Sequence, residues 1–271
     1  MSNSNFMPGC FLSVRQVCAL AILFAILGSG AGAQGDGVMP QPHPFGSAET
    51  LQYSIEWRLI TAGTAELKIE PAHDANHPEW QIHGHVESAG LVSKLYKLDD
   101  NYTSHIGDQF CVSTSEMDAF EGKKHHDAKV SYDYTRNRAV FLERDLLKNT
   151  TMSTKEIQLP GCVSDVLGGL YKMRTLRLQP GQSAQIPTSD GKKWAPVRIE
   201  AQEREEIKNH VGDFKTIRYE AFLFNGVIYS KKASMLVWVT DDERHLPVQI
   251  RARMGFPIGS ITLSLEKEDH Q

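Results

Sequence analysis

The sequence predicts a mainly β protein: a curved antiparallel sheet forming an open or half barrel, with one or two short helices. Three observations carry this. Apolar and polar residues alternate along many short segments, as in Leu51, Tyr53, Ile55, Trp57 and Leu59 against Gln52, Ser54, Glu56 and Arg58. Period-two alternation puts one set on the inner face of a strand and the other in water. These segments follow one another through short turns with no strand–helix alternation, which favours antiparallel pairing. Only two stretches break the strand rhythm with helical spacing.

The chain begins differently. Arg15 precedes an unbroken apolar run from Val17 to Leu27, and small residues follow, ending in Ala31-x-Ala33. A positive start, an apolar core of about 7–15 residues and an A-x-A exit form the pattern of a secretory signal peptide. The run falls short of the roughly 20 apolar residues that a membrane helix needs. Residues 1–33 are therefore expected to be a cleavable signal for export to the periplasm, with an uncleaved anchor as the alternative. Gly35, Gly37, Pro40, Pro42, Pro44 and Gly46 make 34–48 a flexible lead-in without a core. Residues 49–271 then form a single β-rich exported domain. The stretch Asn149–Gly161 is the boundary candidate should there be two.

The opening strand is punctuated by Thr61-Ala62-Gly63-Thr64, with Gly63 supplying a positive φ at the bend. Ala65, Leu67 and Ile69 continue as its hairpin partner. Trp80–Ser88 is a strand. Ala89–Leu98 reads as a short helix with Leu91, Leu95 and Leu98 on one side. Strands follow near Asn101–Ile106, Phe110–Met117, Lys124–Tyr134 and Arg138–Glu143. Ser164–Leu176 is an amphipathic helix, with Val166, Leu170 and Met173 at i, i+4 and i+7, Ser164 as N-cap and Asp165 at its positive end. Gly168-Gly169 inside it costs roughly 1 kcal/mol per glycine relative to alanine, which implies close packing there. Strands resume near Ser183–Pro187, Trp194–Lys208, Asp213–Phe224, Ser234–Thr240, Leu246–Met254 and Ile258–Lys267.

Four cysteines are present, and Cys10 and Cys18 would leave with the signal. Cys111 and Cys162 can then form one disulfide in an oxidising compartment or remain two packed thiols. Loss of Arg15 leaves 28 basic against 33 acidic residues, a net charge near −5. That mild, mixed balance lacks the concentrated basic face that nucleic acid requires. No stretch after the signal has the length of a membrane helix.

Chemistry-bearing motifs are sparse. His83, His85 and Glu87 share one face of a strand and could begin a zinc site with His73 or His77, but a solvated strand face explains them as well, and no metal is expected. No Gly-x-Ser-x-Gly, His-Glu-x-x-His or phosphate-cradling glycine loop is present. Asp99-Asp100 and Asp241-Asp242-Glu243 could serve general acid–base work, or simply mark turns. Aromatic residues on the strands could line an apolar cavity, as in other curved sheets, or pack a filled core.

Four motifs then carry a resemblance. They are Leu51-x-Tyr53-x-Ile55-x-Trp57 with Ala62-Gly63-Thr64-Ala65; Ser93-Lys94-Leu95-Tyr96-Lys97-Leu98-Asp99-Asp100; Asp165-Val166-Leu167-Gly168-Gly169-Leu170-Tyr171-x-x-Arg174; and Trp238-Val239-Thr240-Asp241-Asp242-Glu243-x-x-x-Pro247-Val248. Together they resemble a widespread family of bacterial exported proteins of unknown function. A fainter, fold-level likeness is to periplasmic lipoprotein carriers and envelope-stress sensors, whose incomplete barrels hold acyl chains; a fold alone does not fix function.

The resulting expectation is a periplasmic, non-enzymatic protein that binds an apolar or amphipathic envelope ligand such as a lipid or acyl chain, and needs no cofactor. Leu91, Leu95, Val166, Leu170 and Met173 would line the site, while Tyr171 and Arg174 would orient a polar head. Arg174 could instead form a structural ion pair with Asp99, Asp100 or Asp241. The alternatives are a scaffold module for envelope assembly with a filled core, and an envelope-polymer hydrolase using the acidic pairs.

Overall fold

The computed structural model describes residues 44–72, 80–107, 109–255 and 259–270. The expected signal peptide and residues 34–43 of the lead-in lie outside the described residues. The chain first forms strands β1 (Glu49–Trp57), β2 (Ile60–Pro71) and β3 (Trp80–Ser88), helix α1 (Gly90–Leu95), then β4 (Leu98–Ile106), β5 (Val112–Glu121), β6 (Lys124–Asp133), β7 (Arg138–Asp145) and β8 (Thr150–Gln158). Helix α2 (Val166–Thr175) leads into β9 (Ser183–Ser189), β10 (Trp194–Lys208), β11 (Asp213–Ala221), β12 (Ala233–Thr240), β13 (Pro247–Met254) and β14 (Ser260–His270).

All fourteen strands belong to one antiparallel sheet in the order β8-β7-β6-β5-β4-β3-β2-β1-β14-β13-β12-β11-β10-β9. Two meanders, β1–β8 and β9–β14, are thus joined by the first and last strands, with Glu49 opposite His270 and Trp57 opposite Ile261. Six ladders shift register along their length. Such bulges bend and twist a strand, which is how a long sheet acquires curvature. The sheet curls but does not close, and β8 and β9 remain its two edges. Near the seam the β9–β10 turn tucks inside the first meander. There Gly191 has φ +81°, and a Cβ on it would fall 2.5 Å from Val130 Cγ2, so only glycine fits.

Helix α2 lies on the inner face where three apolar clusters meet. Leu167 packs against the cluster under the first meander and the central one around Leu51, Leu246 and Leu265. Leu170 packs against the central cluster and the one under the second meander, around Ile186, Ile217 and Val237. The cap is Asp165, not Ser164. The Asp165 carboxylate accepts the Gly168 N–H at 2.6 Å, satisfying a donor that has no partner within the helix. Ser164 is used elsewhere: its hydroxyl donates to the Phe110 carbonyl at 2.8 Å, and its backbone bridges to Thr188. Gly168 is needed because a Cβ would crowd Asp165 Oδ1 at 2.9 Å; Gly169 has room to spare.

Several expectations change. The lead-in is not coreless throughout, because Phe45 is fully buried and meets Trp80, Phe110 and Tyr171 edge-on with centroids 5.2–6.2 Å apart. The β1–β2 bend falls at Arg58 and Leu59, which take positive φ. Gly63 lies within β2, where a Cβ would sit 2.1 Å from the Glu87 carbonyl oxygen. Its role is close approach between strands, not a turn. The proposed boundary at 149–161 contains β8, an ordinary member of the sheet.

Candidate functional site

The inner face holds two adjoining clefts. The larger, of about 430 Å³, lies between β2–β7, the start of α2 and the β9–β10 turn. Its apolar walls include Leu67, Val86, Met117, Val130, Phe141 and Leu167. Gly84 on β3 makes the seat for Leu167, since a Cβ there would come within 2.9 Å of Leu167 Cδ1. The smaller groove, of about 350 Å³, lies beneath α1 and is almost wholly apolar, lined by Ile55, Trp57, Val92, Tyr96, Ile261 and Leu263. Val86 lines both, so the two adjoin along the inner face.

The larger cleft also carries polar side chains, among them Asp100, Tyr102, Glu143 and Lys192, while Glu87 and Ser88 border the smaller groove. Lys192 Nζ meets Glu143 Oε2 at 3.2 Å and lies 4.4 Å over the Phe141 ring. The Tyr102 hydroxyl donates to Asp165 Oδ2 at 2.9 Å. Burial pushes the Asp165 carboxyl up, against the hydrogen bonds from the Gly168 N–H and the Tyr102 hydroxyl that favour its charged form. Asp100 also lines this cleft, and its Oδ1 has no hydrogen-bond partner among the described residues. Burial first, then the neighbouring Glu121 charge, raises its carboxyl above the ordinary range.

The opposite end of the interior is closed. Arg174, 1% exposed, donates from Nη1 and Nη2 to the two oxygens of Glu49 at 2.5 and 2.8 Å. Its Nε donates to the His245 carbonyl at 2.9 Å and Nη2 to the Arg244 carbonyl at 3.1 Å. Burial alone would lower the guanidinium; the bidentate pairing with Glu49 outweighs it and holds the group above its usual value. The cation also lies 5.8 Å from the Phe45 ring centroid and 5.4 Å from that of Tyr171. Cys111 and Cys162 are joined as a disulfide at this end, with Cα atoms 5.0 Å apart.

Residues 52–266 match the family described as a protein of unknown function, DUF3108. The chain belongs to that family. No curated protein matches this DUF3108 chain. Among solved structures it is similar to a β-barrel-like protein of the DUF1849 family from Brucella abortus. The TM-score is 0.52 at 7% identity, over 83% of this chain and 98% of that one. At such identity the likeness shows the fold alone. A DUF1089 family protein from Pseudomonas aeruginosa aligns at TM-score 0.29 and 14% identity, over 83% of this chain and 95% of that one, too low to support any inference.

The DUF3108 chain distributes the anticipated site residues unevenly. Val166 lines the larger cleft. Leu170 is packed between clusters, while Tyr171 and Met173 are buried in the core. Leu91 and Leu95 do not line an interior, being 65% and 78% exposed. Val92 of α1 and the following Tyr96 line the groove instead. Arg174 is a structural ion pair, but with Glu49, not Asp99, Asp100 or Asp241.

The acidic pairs do not converge. Asp99 meets His85 at 3.1 Å, Asp241 pairs with Arg204 at 2.7 Å and Asp242 with Arg244 at 3.0 Å; of the four, only Asp100 lines the cleft. His83 and His85 engage Thr103 and Asp99 along the strand face. His73 and His77 lie outside the described residues. Glu49, Glu268 and His270 bring donor atoms within 4.8 Å of one another. Arg174 already holds Glu49, and Arg244 pairs with Glu268 at 3.2 Å, so both carboxylates already have a guanidinium partner.

Proposed function

We propose that this protein is a non-enzymatic carrier or sensor in the periplasm that binds an apolar or amphipathic envelope ligand, a lipid or acyl chain, in the concave interior of the rolled sheet. The observation carrying this reading is the pair of apolar clefts that share Val86. At about 430 and 350 Å³ they fall in the size range of small-molecule sites, roughly 300–1,000 Å³. An alkyl chain laid along them would gain about 0.8 kcal/mol per buried methylene. The Lys192–Glu143 pair and Asp100 would meet a polar head at the wall of the larger cleft.

A second reading, a scaffold module in envelope assembly, draws on the filled half of the interior around Phe45, Tyr171 and Arg174. Native mass spectrometry of protein recovered from its host, followed by organic extraction, separates the two. A lipid mass that accompanies wild type and drops about tenfold in occupancy in Val86→Phe, equivalent to about 1.4 kcal/mol, supports the carrier. A clean mass for wild type supports the scaffold.

A further inference from the structure

We propose that one rim of the barrel docks onto the surface of an anionic phospholipid bilayer, placing the mouth of the apolar groove against the lipid. The docking surface rests on the acyl-ligand reading for its purpose, although the observations behind it are separate.

In an antiparallel meander alternate connections share one end. Here the β1–β2, β3–β4, β5–β6 and β7–β8 connections do so, at residues 58–59, 89–97, 122–123 and 146–149. They carry Arg58, Lys94, Lys97, Lys123 and Lys148, and no aspartate or glutamate. Lys94 and Lys123 have no ion-pair partner among the described residues; Lys148 pairs with Asp145 at 3.0 Å, and Lys97 lies 5.0 Å over the Phe120 ring. The same connections expose apolar side chains. Leu59 is 94% exposed, Leu95 78%, Leu91 65% and Leu147 64%. Leu91 and Leu95 stand four apart on α1, hence on one face, and that helix has no buried residue.

Short contacts make three of these connections a single rim. The Ala89 N–H donates to the Ala62 carbonyl at 2.8 Å, fixing α1 to the β1–β2 hairpin. The Gly122 N–H donates to the Lys97 carbonyl at 2.7 Å, and Tyr96 packs so closely over Gly122 that a Cβ would meet its ring at 3.0 Å. On the outer side of the same hairpin, Leu59 and Arg58 share a surface depression with Arg251 and Arg253. Glu56 is the one acidic residue there, and Arg253 has no ion-pair partner among the described residues.

Separated leucine tips among cations, of which Lys94, Lys123 and Arg253 have no ion-pair partner among the described residues, match an interface in which apolar groups enter the acyl boundary while ammonium and guanidinium groups meet phosphates. Each cation near an anionic leaflet contributes about 1 kcal/mol, roughly fivefold in partition. The groove lies at this rim, lined there by Val92 of α1, by Tyr96 just after it and by Trp57 of β1. An acyl chain could pass from bilayer to groove without crossing water.

The test is flotation of the full chain with vesicles of phosphatidylcholine alone and of phosphatidylcholine with phosphatidylglycerol. It compares wild type with Leu59→Ser/Leu91→Ser/Leu95→Ser and with Lys94→Glu/Lys123→Glu, all at exposed positions. A fluorescent fatty acid is titrated in parallel without vesicles. Wild type is expected to float with the anionic vesicles, and each variant to partition about tenfold less or weaker still, with fatty-acid binding unchanged. Equal flotation of all three proteins overturns the docking surface, whatever the fatty acid does. So does a dimer in vesicle-free solution that the serine variant dissolves, which gives the rim to a second copy. If the fatty acid fails to bind but the variants still lose flotation, docking stands and the acyl-ligand reading falls.

Discussion

At the end where β1 begins, a buried guanidinium is held by a bidentate carboxylate and two carbonyls, ringed by aromatic side chains and stapled by a disulfide. At the end where β1 finishes, a helix buries nothing, leucines stand in water, and two clefts run inward. Strands of the same continuous sheet reach both ends, so the difference lies in the connections and not in the sheet. The closed end is built from contacts that fail if one partner is lost. The open end is built from side chains that the fold does not need. Stability and binding are therefore expected to separate along the barrel axis.

The largest effect tests the closed end. Glu49→Ala leaves Arg174 as an uncompensated buried charge, and the expected loss is about 3–5 kcal/mol, read as a fall in urea midpoint. A loss under about 1 kcal/mol would mean that water reaches Arg174 and the end is not sealed. Next comes the disulfide: Cys111→Ser with Cys162→Ser releases a loop of sequence separation 51 and should lower stability by about 2–4 kcal/mol. An unchanged melting profile would contradict that.

A smaller effect is pH-dependent. Burial, with the nearby Arg177 charge, lowers the His245 imidazole below its ordinary value, against the hydrogen bond to Arg174. The unfolded chain therefore binds a proton first, below about pH 6.5. The contribution is complete above that value and is lost as pH falls through the lower, folded value. The difference in unfolding free energy between wild type and His245→Asn should accordingly shift against wild type as pH drops from neutrality. Parallel stability curves would remove His245 as the cause. The smallest effect belongs to the open end, where Leu91→Ser with Leu95→Ser should change stability by no more than about 0.5 kcal/mol. A loss above 2 kcal/mol, roughly that of a core leucine, would show that α1 is part of the core after all.

Most of the sheet was legible because inner-face residues such as Leu51, Tyr53 and Ile55 alternate with polar ones. Strand β8 was not. Thr150–Gln158 is exposed along nearly its whole length, so as an edge strand it has no buried set to alternate. Phe45 was hidden by its glycine- and proline-rich surroundings, since one aromatic residue makes no period. In α2 the spacing correctly announced a helix, and Val166 does reach the cleft. Wrapped by the curled sheet, however, that helix has little free face, and most of its apolar stripe is used up in packing. The Arg174–Glu49 pair spans 125 residues of sequence, and nothing local marks it. The clefts follow from curvature and from absent side chains, as at Gly84, which period-two patterns do not register.

The unclosed seam has a mechanical consequence. A barrel whose last strand pairs with its first has a circumference fixed by a complete hydrogen-bond ladder. Here β8 and β9 share no ladder. The overlap is held by two backbone hydrogen bonds of Ser164, to Pro187 at 2.8 Å and from Ser189 at 2.9 Å, and by the exposed Lys192–Glu143 pair at 3.2 Å. Widening the roll would break these and loosen the packing of the β9–β10 turn on Val130 and Phe141, but would cost no strand ladder. The girth of the interior is thus set by a light clasp, and cargoes of different thickness could be admitted without unzipping a strand.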